Sequence, residues 1–416
     1  MSTIKTSIGV IFALVVMLIL FPLFLWMAGV SVFPFGGGGS SGSGKSGILL
    51  RSTDEGVHWD GVVFEQGKGI SAPGQALHVA FDTLDPDIMY LGAKANGLWR
   101  STDRGANWKK MNDSSGLLQP GADVYRIAMS TSSPDTLYIA VFQNKKGRVL
   151  RSDNRGGSFR EVYFVAPDNI PVYDIYVSPT DVNRVALATG QGGVLISHNG
   201  GQTWKVAHWF SESMVRVAGN PGFFAEMYAV DSSRRLKKTF DEGENWTELD
   251  ESNSGSGSIG GGYPGAPGGF SAIPPPIQGF PQEPFYFGGS GGVGSLRIGG
   301  SASAGLPVAI ETFAIDPRNF ERIFIGAVEG LYRSLDGGFI WNRIETLVYP
   351  SAITVTAVAV HPQKRGTIFV GIGSELYRTD DDGKTWNVRM LPTSQRIRGI
   401  ALHPLYPDFM FTFVGK

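Results

Sequence analysis

The chain has 416 residues, 42% of them hydrophobic and 12% aromatic, enough to bury a large core, yet it carries 57 glycines, 24 prolines and only 18% charged residues. Such a composition describes short strands joined by tight turns rather than long helices. The net charge of −1 provides no general attraction to phosphate, which argues against a nucleic-acid partner; the absence of cysteine excludes disulfides, thiolate metal sites and cysteine nucleophiles.

From Ile8 to Phe35 the sequence is uncharged and apolar over about 28 residues, long enough for a hydrocarbon core of roughly 30 Å. No good small-x-small cleavage site follows, so residues 1–35 read as an uncleaved signal anchor, a single transmembrane helix. Lys5 and the amino terminus lie on its short side, which leaves the N-terminus cytoplasmic and places the rest in the periplasm, a lumen or at the cell surface. Residues 36–47 form a Gly/Ser linker. It contains GSSGSGKS, whose Gly39, Gly44, Lys45 and Ser46 match the phosphate-loop pattern G-x-x-x-x-G-K-S/T. That loop works only between a buried strand and a helix. Here a membrane span precedes it and GILLRSTDEG, a strand entering a turn, follows. No nucleotide and no other cofactor is expected, and the stretch reads as a tether with a reach of roughly 17–21 Å.

Beyond the linker one octet recurs seven times: Ser52–Trp59, Ser101–Trp108, Ser152–Phe159, Ser197–Trp204, Thr239–Trp246, Ser334–Trp341 and Thr379–Trp386. All follow Ser/Thr-x-Asp/Asn-x-Gly-x-x-Trp/Phe. The Asp/Asn positions are Asp54, Asp103, Asn154, Asn199, Asp241, Asp336 and Asp381. The aromatic positions are Trp59, Trp108, Phe159, Trp204, Trp246, Trp341 and Trp386. Hydroxyl and carboxylate are suited to accept turn N–H groups, glycine supplies a positive φ, and the aromatic ring folds back as a plug. The octet is therefore a turn stabiliser whose carboxylate is occupied by its own backbone.

Upstream of six of the octets lie two apolar strands joined by a short, usually proline-containing turn, as in VAFDTLDPDIMYLG from Val79. A third strand leads into the octet and a fourth leaves it. Four short antiparallel strands per repeat describe a propeller blade. The first octet lacks its first two strands, and the C-terminal IALHPLYPDFMFTFVG supplies two strands without an octet. Pairing the ends makes a composite closing blade. The expectation is an all-β, seven-bladed propeller over residues 48–416, interrupted at 251–306 by a Gly/Ser/Pro-rich insertion. That insertion carries Phe280, Phe285, Tyr286 and Phe287 as candidate apolar anchors.

The octets resemble the Asp-box, or bacterial neuraminidase repeat. The propeller as a whole is similar to photosystem II assembly and stability factors, and more loosely to sortilin-like and xyloglucanase-type propellers. The resemblance to assembly factors implies an arginine-bearing face that binds a partner protein. Sialidases of the Asp-box group carry Phe/Tyr-Arg-Ile-Pro; here Tyr125-Arg126-Ile127-Ala128 lacks the proline and falls in a first strand. Xyloglucanase-type enzymes pair two aspartates between two propellers, and one propeller is present. The six histidines, His58, His78, His198, His208, His361 and His403, lack zinc spacing. The expectation is accordingly of no enzyme and no metal site.

Strand direction places the start of every first strand at one rim of the central channel, the octet turns at the other. At the first rim gather His78, Tyr125, Arg126, Tyr173, Asp174, Arg216, Glu311, Thr356, Arg396 and Arg398, a set rich in the arginine and tyrosine of binding hot spots. Insertion and tether enter from the same side, so this face is expected to look toward the bilayer. The reading is a non-catalytic, membrane-anchored docking or assembly module for a membrane protein complex. The alternatives are a glycan-binding or glycan-cleaving surface protein and a structural subunit of an envelope complex.

Overall fold

Strands such as Ala76–Phe81 and Val355–Val360 are buried at every position, as near-continuous apolar runs require of strands covered on both faces. The computed structural model describes residues 47–66, 71–82, 84–249, 310–345 and 354–415. It arranges them as seven antiparallel sheets, the blades of a propeller. Blades 2 to 7 follow in chain order, their first strands being Ala76–Phe81, Asp123–Ser130, Val172–Val177, Met214–Asn220, Ile310–Asp316 and Val355–Val360. Blade 1 is composite, with the order Arg396–Leu402, Met410–Gly415, Gly47–Ser52 and Asp60–Gly61 from the channel outward. Six paired positions, Gly47 with Gly415 through Ser52 with Met410, join the two ends of the described chain.

Period-two alternation determines where the core sits. In blade 3, Leu137, Ile139 and Val141 pack with Tyr90 and Leu98 of blade 2, while Tyr138 and Ala140 pack with Leu187 and Leu195 of blade 4. The same division holds around the ring. Each apolar cluster lies in a seam between successive blades, and the closing seams are built from Leu376, Ile400 and Met410 on one side and Trp99, Phe81 and Phe411 on the other.

The octets form the turns between third and fourth strands. In all seven the Ser/Thr hydroxyl donates to the Asp/Asn Oδ1 over 2.7–3.0 Å. The same hydroxyl accepts the glycine N–H at 2.8–3.1 Å. That Oδ1 also accepts the N–H four residues on. The octet glycines have φ between 76° and 97°, the left-handed region in which a Cβ is strained. Asp381 shows the electrostatic result: N–H and hydroxyl donation from Thr385 pulls its carboxyl down to about 2.

Blade 2 departs from the four-stranded plan. Val63–Phe64, just after the outer strand of blade 1, adds a fifth, parallel strand along Asn107–Lys110. Its N–H groups and those that follow bond the blade, Val63 to the Ala106 carbonyl and Glu65 to that of Trp108. Phe64 meets Trp99 edge-on at 5.3 Å. This strap covers an edge that would otherwise be open.

Among the described residues no helix is long and apolar enough to cross a membrane. The apolar segment 8–35, linker residues 36–46 and the insertion 251–306, with Phe280, Phe285, Tyr286 and Phe287, lie outside the described residues.

Candidate binding face at the channel mouth

All seven first strands carry a register irregularity at one equivalent place, between Ala76 and His78, Val124 and Arg126, Val172 and Asp174, Met214 and Arg216, Ile310 and Thr312, Val355 and Ala357, and Ile397 and Gly399. The residues passed over are Leu77, Tyr125, Tyr173, Val215, Glu311, Thr356 and Arg398. A bulge turns its extra side chain away from the ladder and re-aims the next one. The backbone thus repeats the same device seven times while the side chains it presents differ from blade to blade. The 2–3 loops share this rim: the Ala95 N–H of blade 2 donates to Asp123 Oδ1 of blade 3 at 2.6 Å.

On one side of the rim the polar groups satisfy one another. Arg126 is 7% exposed and Asp174 is fully buried, and the Arg126 Nε lies 2.9 Å from Asp174 Oδ1. Arg126 Nη1 lies 2.9 Å from the buried His78 Nε2. Asp174 also accepts the N–H groups of Ile175, at 2.9 Å, and of Val217 in blade 5, at 3.0 Å. These contacts tie together blades 2, 3, 4 and 5. Above them Tyr125 and Tyr173 meet edge to face at 5.7 Å; burial raises both phenols, with the Asp123 charge adding to the effect on Tyr125.

The other side is more open. Arg396 is exposed and Arg216, Arg234, Glu311 and Arg398 are half-buried. Arg234 bonds Glu311. Arg398 is lowered by burial and by the like charge of Arg396, against a favourable contribution from Glu311. Thr356 is buried and its hydroxyl lies 2.5 Å from the Ile397 carbonyl, across the seam into blade 1. This arc of blades 5, 6, 7 and 1 therefore brings guanidinium groups together near Glu311, an arrangement suited to carboxylate or carbonyl acceptors from outside. The bulge has no sequence signature of its own, because it depends on pairing with the second strand. The burial of Arg126 likewise depends on Asp174, in the next blade. Among the described residues no group of three or more His, Asp or Glu is placed to hold a metal ion.

No family model matches the chain. A stretch of 136 residues is 32% identical to the xyloglucanase Xgh74A of Acetivibrio thermocellus, covering 28% of this chain and 16% of that protein. Among solved structures, the GH74 xyloglucanase of Xanthomonas campestris superposes with a TM-score of 0.56 at 15% identity, over 83% of this chain and 51% of that one. YCF48 bound to D1 peptide superposes with a TM-score of 0.54 at 12% identity, over 82% and 94%. The structural likeness is one of fold. The chain matches about half the length of the xyloglucanase structure, and less than a fifth of the curated xyloglucanase is matched in sequence.

These matches correct the expectation that the protein is not an enzyme, since sequences and folds of this type include xyloglucanases. The xyloglucanase-type resemblance was legible, but the expectation of no enzyme rested on finding no catalytic motif, and the chemistry does not require a local one. Glycoside hydrolysis needs two carboxylates brought together in space, and no local spacing announces such a pair.

Proposed function

We propose that this propeller is a membrane-anchored, extracytoplasmic docking module that uses its channel mouth to bind an extended polypeptide segment of a membrane protein complex. The observation that carries the reading is the open arginine arc. Arg396 and Arg398 repel one another, with Glu311, bonded by Arg234, facing them, so an incoming acidic or carbonyl-rich segment relieves the repulsion. The reading is supported by the uncharged segment 8–35, which suits an anchor, and by the likeness over 94% of a propeller that binds a peptide. The octets, with their shared hydroxyl, carboxylate and glycine geometry, fit the Asp-box turn, which here serves as scaffold.

The test uses the full chain in membranes of its own cell. Affinity capture should recover a defined membrane partner, and changing Arg216, Arg396 and Arg398 together to alanine should abolish that recovery while leaving the fold intact. Unchanged capture would refute the assignment of this face.

A second reading, binding or cleavage of a β-glucan such as xyloglucan, is favoured by the identity to xyloglucanases. It predicts turnover or saturable binding of xyloglucan oligosaccharides by the purified chain. That result, without a protein partner, would replace the docking assignment.

A further inference from the structure

The turn between first and second strands carries a third recurring feature, shown in six of the seven blades. Its first residue accepts backbone N–H groups through the side chain: Asp82 from Leu84 and Asp85, Ser130 from Ser132, Asn220 from Gly222, and Asp316 from Arg318. Blades 7 and 1 place histidines at this position. His361 Nδ1 accepts from Gln363 at 3.0 Å and Lys364 at 2.8 Å. His403 Nδ1 accepts from Leu405 and Tyr406, both at 3.1 Å. Amide N–H groups only donate, so both imidazoles must be neutral, with the proton on Nε2. Both are fully buried.

The two histidines flank the composite blade. His361 faces blade 1 through Glu55, whose Oε1 lies 3.7 Å from its Nε2; Glu55 also binds Lys364 of the same turn and Arg378 Nη2 at 2.8 Å. Arg318 of blade 6 adds a further positive charge. On the opposite side, His403 lies in the seam with blade 2, its ring 5.0 Å from Phe81 and 5.4 Å from Tyr406. The Arg104 guanidinium faces it there while packing over Tyr406 and Phe409.

We propose that the ring carries an acid-sensitive latch at its closing blade: protonation of His361 and His403 releases the two turns that hold blade 1 between blades 7 and 2. A proton on Nδ1 sets an N–H against two N–H donors, so both turn hydrogen bonds are lost at once. At His361 the Glu55 charge favours the proton, but burial outweighs it and Lys364 and Arg318 oppose it; the pKa falls to about 4. Burial and then Arg104 bring His403 to about 4 as well. A folded pKa below the unfolded value of about 6.5 means that the neutral form is favoured by folding. The stabilisation is therefore complete above about pH 6.5 and is lost as pH falls toward 4, opening becoming about tenfold more favourable per pH unit for each histidine. Ser130 in blade 3 and Asn220 in blade 5 accept through a hydroxyl and an amide, which have no imidazole proton to gain.

Hydrogen exchange of the full chain, corrected for the intrinsic rate, tests the latch between pH 7.5 and 4.5. Segments 361–367 and 403–409 and the strand Gly47–Ser52 should lose protection by about tenfold or more per pH unit below 6.5, while blades 3 to 5 hold theirs. His361→Asn with His403→Asn installs the acceptor that blade 5 already uses and should flatten the dependence. Protection lost evenly around the ring, or an unchanged slope in the double variant, would overturn the proposal. If the double variant fails to fold, the wild-type comparison between blade 1 and blades 3 to 5 still decides.

Discussion

The two rims of this propeller repeat with equal regularity but differ in what they repeat. At the octet rim, backbone and side chains recur together: hydroxyl, carboxylate or amide, and glycine make the same bonds in seven blades. At the channel mouth the backbone alone recurs, as seven bulges, and the presented side chains range from Leu77 to Arg398. Repetition of side chains marks a structural demand that is the same in every blade. Diversity on a repeated backbone marks a surface whose side chains answer to something outside the ring.

Breaking that contrast should give effects of graded size. The largest is expected at the mouth itself, where one pair is structural: Asp174→Ala removes the carboxylate that faces the buried Arg126 and should cost about 3–5 kcal/mol in denaturant unfolding. Next comes Gly105→Ala on the octet rim. A Cβ there would lie 2.3 Å from the Phe411 ring at a φ of +76°, so strain and overpacking together should cost about 2–4 kcal/mol. Asp381→Asn is expected to be milder still, a small shift in the denaturant midpoint, because Asn154 and Asn199 already perform the same bonds. The Asp381 carboxyl, held at about 2, gives stability that is present above its unfolded value near 4 and is lost as pH falls through about 2. Octet turns should therefore survive acid that opens the histidine turns, which hydrogen exchange on the two sets reports directly. The smallest stability effect, within about 0.5 kcal/mol, is expected for Arg396→Ala, with a large fall in partner capture.

The fold was legible because its evidence is local. An octet closes its bonds within eight residues, so its sequence carries its geometry, and seven copies with split ends imply the composite blade that Gly47–Ser52 and Met410–Gly415 form. Strand direction also placed Tyr125, Arg126, Tyr173, Asp174, Arg216, Glu311, Arg396 and Arg398 around one rim. What stayed hidden depends on contacts between blades. Arg126 reads as a surface arginine until Asp174, in the following blade, takes its charge. His361 and His403 read as turn residues of no consequence until their Nδ1 atoms are seen accepting two amides each. The parallel strap Val63–Phe64 follows from Trp99 and Trp108 in the next blade. The resemblance to xyloglucanase-type propellers was legible in the octets, but the expectation of no enzyme was not secure, since paired carboxylates leave no spacing to read.

A photo-crosslinking residue is placed in the full chain at Arg396 on the mouth, or at the exposed Thr53 on the octet rim, and irradiated in membranes of the source cell. A docking mouth should give a discrete adduct with a membrane protein from position 396 alone, lost when Arg216 and Arg398 are changed to alanine. An adduct from position 53 alone, or one from 396 that survives those changes, would contradict the docking assignment.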